Sequence, residues 1–200
     1  MNVRSSDALA RYVEQALLLI DREGGSRGLA LREVSRELGF AHTNAYNYFD
    51  RLEDLLAQCL VAVLERQLAF TSAAMNSPRL SAHGRLERLV VSQLDFALEH
   101  RGWYQFVWLE PLRAEPPPRA MSVMAEAGEA LAGLFEALAE GQLSKAKARL
   151  AAEDFHHWLH GALAKLLTGR AAPEPPDEVR KRLLAGTRRI VRALVPDSGR

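Results

Sequence analysis

Cysteine is nearly missing from this chain: Cys59 is the single one among 200 residues, so no internal disulfide can staple the fold. Net charge is missing too. The 26 basic and 25 acidic residues leave a formal charge of +1, which excludes a polyelectrolyte that coats nucleic acid or anionic membrane and makes recognition a local matter. No stretch approaches the roughly 18 uninterrupted apolar residues of a spanning helix, so no membrane partner is expected. No N-terminal segment resembles a signal peptide, and the expected compartment is the cytoplasm. There is no repeat, no strand-period segment of useful length, no phosphate loop, no cofactor fingerprint and no convincing pair of nucleophile and base. Catalysis and a bound cofactor are therefore not expected. The 48% hydrophobic and 26% charged content is that of an ordinary globular chain of one or two small domains.

What is present is concentrated in Leu29 to Leu56, LALREVSRELGFAHTNAYNYFDRLEDLL. Leu31, Val34 and Leu38 recur at i, i+3 and i+7, with Arg32, Glu33, Arg36 and Glu37 between them, which predicts a short amphipathic helix. Gly39 stands where a left-handed residue ends a helix, and Phe40 can supply the hydrophobic contact that accompanies such a cap. A second short helix, about His42 to Phe49, offers His42, Thr43, Asn44, Asn47 and two tyrosines. A polar helix of this length is not stable alone, so its neighbours must hold it. Helix, glycine turn and exposed polar helix form a helix-turn-helix, whose second helix enters a DNA major groove.

Gly39-Phe40, then Ala45-Tyr46-Asn47-Tyr48-Phe49, then Glu53-Asp54-Leu55-Leu56 resemble the DNA-binding domain of the TetR family of bacterial transcriptional regulators, over roughly Asp7 to Leu60. The resemblance implies that Phe49 is a buried anchor, that Tyr46 and Tyr48 place hydroxyls on phosphates, and that His42, Thr43, Asn44 and Asn47 face base edges or backbone. Three positions depart from the family pattern: Leu52 replaces the phosphate-binding lysine, Ala41 the small polar residue that leads the recognition helix, and Ala30 the hydroxyl before Leu31. Arg51 is the expected substitute for the lysine, with Arg27, Arg32 or Arg36 adding phosphate contacts. Seven arginines and seven carboxylates in residues 1–51 balance, so weak background binding and a modest salt dependence are expected.

The expected fold is all-α, with about nine helices: an N-terminal three-helix helix-turn-helix domain, residues 1–58, joined by a long helix to a C-terminal helical bundle for ligand binding and dimerisation, residues 59–200. A first helix from Asp7 buries Leu9, Val13, Ala16, Leu17 and Ile20 and ends at Gly24 and Gly25. The long helix runs from Leu52 to about Met75. Further helices are expected at Ser81 to His100, Arg119 to Glu140, Ser144 to Leu167 and Asp177 to Leu194. A short aromatic segment, Trp103 to Trp108, follows a break at Arg101-Gly102.

Phe155-His156-His157-Trp158-Leu159-His160-Gly161, with Ala97-Leu98-Glu99-His100, is similar to the WHG-type regulatory domain of some TetR-family members. The family's last two helices pair with those of a second subunit, which implies a homodimer interface containing Phe155, Leu159, Leu163, Leu183 and Ile190. Phe96, Trp103, Phe106, Met121, Met124, Phe135 and Trp158 are the candidate lining of an effector pocket; the plainer reading of the same residues is a filled core. His156, His157 and His160 with Glu153 and Asp154 invite a zinc reading, but core or interface histidines are the plainer one and no metal is expected. Cys59, on an inward face, is expected to be an inert thiol. The basic run Arg180 to Arg192 is read as a solvated face. The function implied is a ligand-responsive regulator, a repressor released from a palindromic operator by an apolar or aromatic effector; its partners are double-stranded DNA, that effector and a second copy. The alternatives are a helical interaction module that has lost DNA binding and, behind it, a metal-dependent helical enzyme.

Overall fold

The computed structural model describes residues 3–195, the side chains of 3–6, His42, Ala74 and Met75 excepted. Among the described residues there are eight α-helices and no strand: α1 (Val3–Glu23), α2 (Leu31–Glu37), α3 (Leu52–Met75), α4 (Ala82–Glu99), α5 (Arg101–Tyr104), α6 (Pro118–Leu138), α7 (Lys145–Leu167) and α8 (Pro176–Leu194). A 3-10 turn, His42–Asn47, lies between α2 and α3, and a π-helical stretch, Gln105–Leu109, continues α5. The helices form two compact units. Among the described residues, one comprises 3–66 and 100–121, the other 67–99 and 122–195. The division expected at residue 58 also falls within α3, but the first unit extends to Arg66 and takes in 100–121 besides.

Three elements differ from the sequence expectation. The first helix starts at Val3, not at Asp7. The second helix of the helix-turn-helix is a 3-10 segment that stops at Asn47, because Tyr48 and Phe49 already turn inward onto Tyr12, with ring centroids 5.6 and 5.8 Å away. The break before the aromatic segment falls at His100, with φ −124° and ψ 58°, and Arg101-Gly102 open a new helix.

In the first unit, α1 buries Tyr12, Val13, Ala16, Leu17, Leu19 and Ile20, while α2 contributes Leu31 and Val34. Leu55, Leu56, Cys59, Leu60, Val63 and Leu64 of α3 complete that core. Over Leu52–Ala73, α3 is long and apolar enough to cross a membrane, at mean hydropathy 1.2. Those buried residues account for that apolarity, and Glu65 on the same helix pairs with Arg119 at 2.7 Å. Burial raises the Cys59 thiol pKa to about 12, which keeps it protonated and unreactive.

The 100–121 segment is fastened to the end of α1. The Trp103 indole N–H donates to the Leu17 carbonyl at 2.9 Å, and the Gly102 N–H donates to Asp21 Oδ1 at 3.1 Å. His100 stacks on Trp103, with centroids 4.1 Å apart, and its Nδ1 lies 3.3 Å from Asp21 Oδ2. The Arg66 guanidinium covers the Trp103 ring at 5.2 Å and pairs with Glu14. Farther along, Glu110 accepts from the Ser26 N–H at 3.0 Å, and Arg113 donates to the Ser26 carbonyl.

In the second unit, α4, α7 and α8 bury Leu86, Leu89, Val90, Leu94, Phe96, Phe155, Leu159, Leu163, Val179 and Leu183. Gln67 donates to Gln93 at 2.7 Å. Ion pairs Arg180–Asp95 and Arg188–Glu87 tie α8 to α4 at 2.9 and 2.7 Å. Such half-exposed pairs add little energy.

Candidate nucleic-acid interface

The recognition turn is held by its flanks. Gly39, at φ +72°, ends α2 in a left-handed conformation that a Cβ would disfavour. The Phe40 N–H reaches the Ser35 carbonyl at 2.9 Å and the Gly39 N–H reaches that of Arg36 at 3.0 Å, the paired bonds of a Schellman cap. Phe40 then packs on Tyr12, and the Arg11 guanidinium lies over the Phe40 ring, 4.9 Å from its centre. Ala45 and Phe49 are buried, so the outer side of the turn is what remains for a partner.

At the opposite end, Asp54 closes α3. The Arg51 N–H donates to Asp54 Oδ2 at 3.0 Å, satisfying a donor at the helix start as a third-position acid does in a capping box. No such help exists at α2. Ala30 has the extended conformation of an N-cap, φ −139° and ψ 146°, but no side-chain acceptor. Ala30→Ser should therefore stabilise the fold by about 1 kcal/mol; a urea midpoint that does not rise would count against this.

The sequence-predicted DNA residues fall into three groups. Arg32, Thr43, Tyr46, Asn47 and Arg51 are exposed, Tyr46 at 59%. Asn44 and Tyr48 are half-buried. Tyr48 stands against Tyr12 and Phe49 and is in part a packing residue, while Asn44 accepts a hydrogen bond from Tyr12. The side chain of His42 lies outside the described residues. Arg51 is only loosely engaged, with Nε 3.5 Å from Asp54, whereas Arg36 lies between Glu33 and Glu37 at 3.7 and 3.6 Å. Arg32 and Arg51 are thus the arginines of the set least engaged by carboxylates.

Tyr12 and Ser35 were missed by sequence reasoning, which placed only aliphatic residues on the inner face of the first helix. The signal was available: Tyr12, Ala16 and Ile20 are spaced i, i+4, i+8, and a phenol on an inward face needs a polar partner.

The candidate effector residues do not share one unit. Trp103, Phe106 and Met121 belong to the first; Phe96, Met124, Phe135 and Trp158 belong to the second. Trp103 is held by Leu17, His100 and Arg66 as described, and Met121 is 50% exposed. Phe106 lines, with Leu56, Leu60, Pro111 and Pro116, a cavity of about 40 Å³, room for a few water molecules and far below the several hundred Å³ of a drug-sized site. In the second unit, Phe155 joins Phe135 and Trp158, with centroids at 5.6 and 5.5 Å, and Phe96 meets Phe70.

Of the residues expected at a dimer interface, Phe155, Leu159, Leu163 and Leu183 are buried in the chain's own core. Ile190 is half-buried and remains available. Gly186 receives the Trp158 ring of its own chain, where an added Cβ would lie 2.5 Å from the indole. The His156 and His160 rings sit 4.2 Å apart. Burial lowers the pKa of both, His160 to about 3. No group of three His, Cys, Asp or Glu suited to a metal ion occurs among the described residues.

Comparisons place this architecture among known proteins. A family model described as the tetracyclin repressor-like C-terminal domain matches residues 86–187. A regulatory protein of the tetR family from Rhodococcus RHA1 superposes with a TM-score of 0.69 at 19% identity, covering 92% of this chain and 96% of its own. A putative transcriptional regulator from Pseudomonas aeruginosa PAO1 gives 0.68 at 23% identity, over 94% and 98%. A tetR-family transcriptional regulator from Streptomyces coelicolor gives 0.69 at 17%, over 97% and 90%. At these identities the likeness is one of fold. Among curated proteins, nothing matches the sequence.

Proposed function

The chain belongs to the TetR family of DNA-binding transcriptional regulators, and from that premise we propose that it is a ligand-responsive repressor released from a palindromic operator by a small apolar or aromatic effector. The observation that carries the DNA-reading half is the recognition turn, with Thr43, Tyr46 and Asn47 exposed on a segment whose other side is locked by Phe49, Ala45 and Tyr12. Tyrosine and threonine hydroxyls position a protein on phosphates, while asparagine reads base edges. Arg32 and Arg51 flank them as phosphate cations.

The protein acts as a homodimer through α7 and α8. Ile190 and other residues outside the protomer core meet the second copy, and the two recognition turns lie about one helical turn of DNA, roughly 34–36 Å, or a multiple of it apart. Residues 1–58 bind DNA and 59–200 bind effector and partner. The effector site is formed around Phe96, Met124, Phe135 and Trp158. Its signal leaves through residues 100–121, whose bonds to Leu17 and Asp21 support this route because any shift of that segment pulls on α1. By linkage, operator must weaken effector binding by the factor with which effector weakens operator binding. The role is a cytoplasmic one, without catalysis.

Selection of bound sequences from a random DNA pool tests the reading. Recovery of one palindrome, with affinity falling about tenfold or more in a Thr43→Ala, Tyr46→Phe double variant, is the expected result. With two arginines engaged per protomer, affinity should fall with salt at a log–log slope of about −4; a slope steeper than about −8 would show a larger phosphate footprint than this surface offers. The helical interaction module is favoured by Leu52, which leaves the third helix without its usual cation. A folded dimer that enriches no sequence would select that module instead.

A further inference from the structure

We propose that Tyr12 determines which bases Asn44 reads, by holding the Asn44 amide oxygen inward so that only N–H donors face the DNA. The inference rests on the DNA-binding reading above. The Tyr12 hydroxyl lies 3.0 Å from Ser35 Oγ and donates to Asn44 Oδ1 at 3.1 Å. A phenol has one hydrogen. With that hydrogen on Asn44, Ser35 supplies the hydrogen of the other bond, and the chain of donors runs from Ser35 through Tyr12 to Asn44.

Neither inner partner is free to yield. Tyr12 and Ser35 are both 0% exposed, and the Tyr12 ring is fixed against Phe40, Tyr48 and Phe49. Releasing Asn44 would turn the Tyr12 hydrogen onto Ser35 Oγ and leave the Ser35 hydrogen without its Tyr12 acceptor, a net loss of one hydrogen bond in a buried site, so the bond persists when DNA arrives. The oxygen and nitrogen of an amide diverge from Cγ. An oxygen directed at a buried hydroxyl therefore directs the NH2 outward, and among the described residues Asn44 Nδ2 makes no hydrogen bond.

The consequence is a restriction on the code. Bidentate recognition of adenine by asparagine needs the oxygen to accept from N6 while the nitrogen donates to N7. A donor-only Asn44 cannot do this. It matches guanine, which presents the two acceptors O6 and N7, and thymine with O4, better than adenine, whose N7 acceptor stands beside the N6 amino donor, or cytosine, which presents only a donor. Tyr12 touches no DNA in this scheme; it is a positioning residue for specificity.

The test is the same selection experiment run with four proteins. Asn44→Ala identifies the half-site position that Asn44 reads. Wild type should prefer guanine or thymine there, by about fivefold over adenine and cytosine, the factor of one ordinary hydrogen bond. Tyr12→Phe keeps the packed ring but releases the amide, so that preference should collapse and adenine should be admitted, with other positions unchanged. Asn44→Asp presents an acceptor where the NH2 stood and should invert the preference toward amino bases, a result that does not depend on how well Tyr12→Phe folds. Adenine preferred by wild type at that position, no position responding to Asn44→Ala, a Tyr12→Phe profile identical to wild type, or a keto preference retained by Asn44→Asp would each overturn the inference. A wild-type dimer that enriches nothing refutes the DNA-binding reading itself, a different outcome from any of these.

Discussion

Gly102→Ala should destabilise the protein by about 3 kcal/mol, near the upper end for adding one methyl group to a packed site. A Cβ built at Gly102 would lie 2.1 Å from the Ile20 carbonyl oxygen and 2.5 Å from the Asp21 Cα. These are backbone atoms of α1, so no rotamer change relieves the clash; α1 and α5 must separate. Separation would strain the Gly102–Asp21 and Trp103–Leu17 hydrogen bonds together. It would also disturb the turns of α1 that bury Leu17, Leu19 and Ile20. Gly128→Ala supplies the contrast: nothing lies within 4 Å of its built Cβ and it sits inside α6, so alanine there should stabilise by roughly 0.5–1 kcal/mol through helix propensity alone. Urea unfolding of the two variants beside wild type decides. A Gly102→Ala midpoint equal to wild type would mean that the segment does not press on α1 as described. If the route proposed for the effector signal is correct, an otherwise folded Gly102→Ala protein should also lose the mutual antagonism of effector and operator.

The fold was legible wherever a local rule had one solution. Gly39 followed by Phe40 could end α2 only in a left-handed cap, and both bonds of that cap are present. Pro78 follows the end of α3, and Pro118 and Pro176 open α6 and α8, as suits residues that lack a donor and restrict the residue before them. What composition could not reveal was the identity of the neighbour. Phe155, Leu159, Leu163 and Leu183 follow a helical spacing that says one face is apolar, but a helix buries the same stripe against its own bundle or against a second subunit, and here the bundle takes it. Trp103 looked like a pocket wall because aromatic side chains serve both purposes. Its indole N–H settles on a carbonyl of the first helix 86 residues away in sequence, a contact that no window of sequence contains. Tyr12 was overlooked for a different reason: the inner face of α1 was read as aliphatic, and the hydroxyl that ties α2 to the recognition turn was not sought.

Stability should fall by about 2 kcal/mol between pH 6.5 and pH 5, before most carboxylates titrate, and His160 should account for it. Its pKa is lowered from 6.5 to about 3, first by burial and then by the nearby His156 and His157. His156 is lowered in the same direction by burial and by His157, against a smaller opposing pull from Glu153. In the folded protein His160 stays neutral through this interval, whereas in the unfolded chain it takes up a proton as pH drops below 6.5. The unfolded state then binds more protons, so the folded state loses about 1.4 kcal/mol for each pH unit once the unfolded imidazole is charged. The contribution is complete above pH 6.5 and is progressively lost toward pH 3. Because the two rings lie 4.2 Å apart on successive turns of α7, protonating one makes protonating the other harder, which keeps both neutral in the fold. His160→Gln removes the titration: its stability at neutral pH is lower for lost packing, but its decline from pH 6.5 to 5 should be shallower than that of wild type. Parallel curves for the two proteins, measured by urea unfolding at half-unit intervals, would show that His160 is hydrated enough to protonate in place.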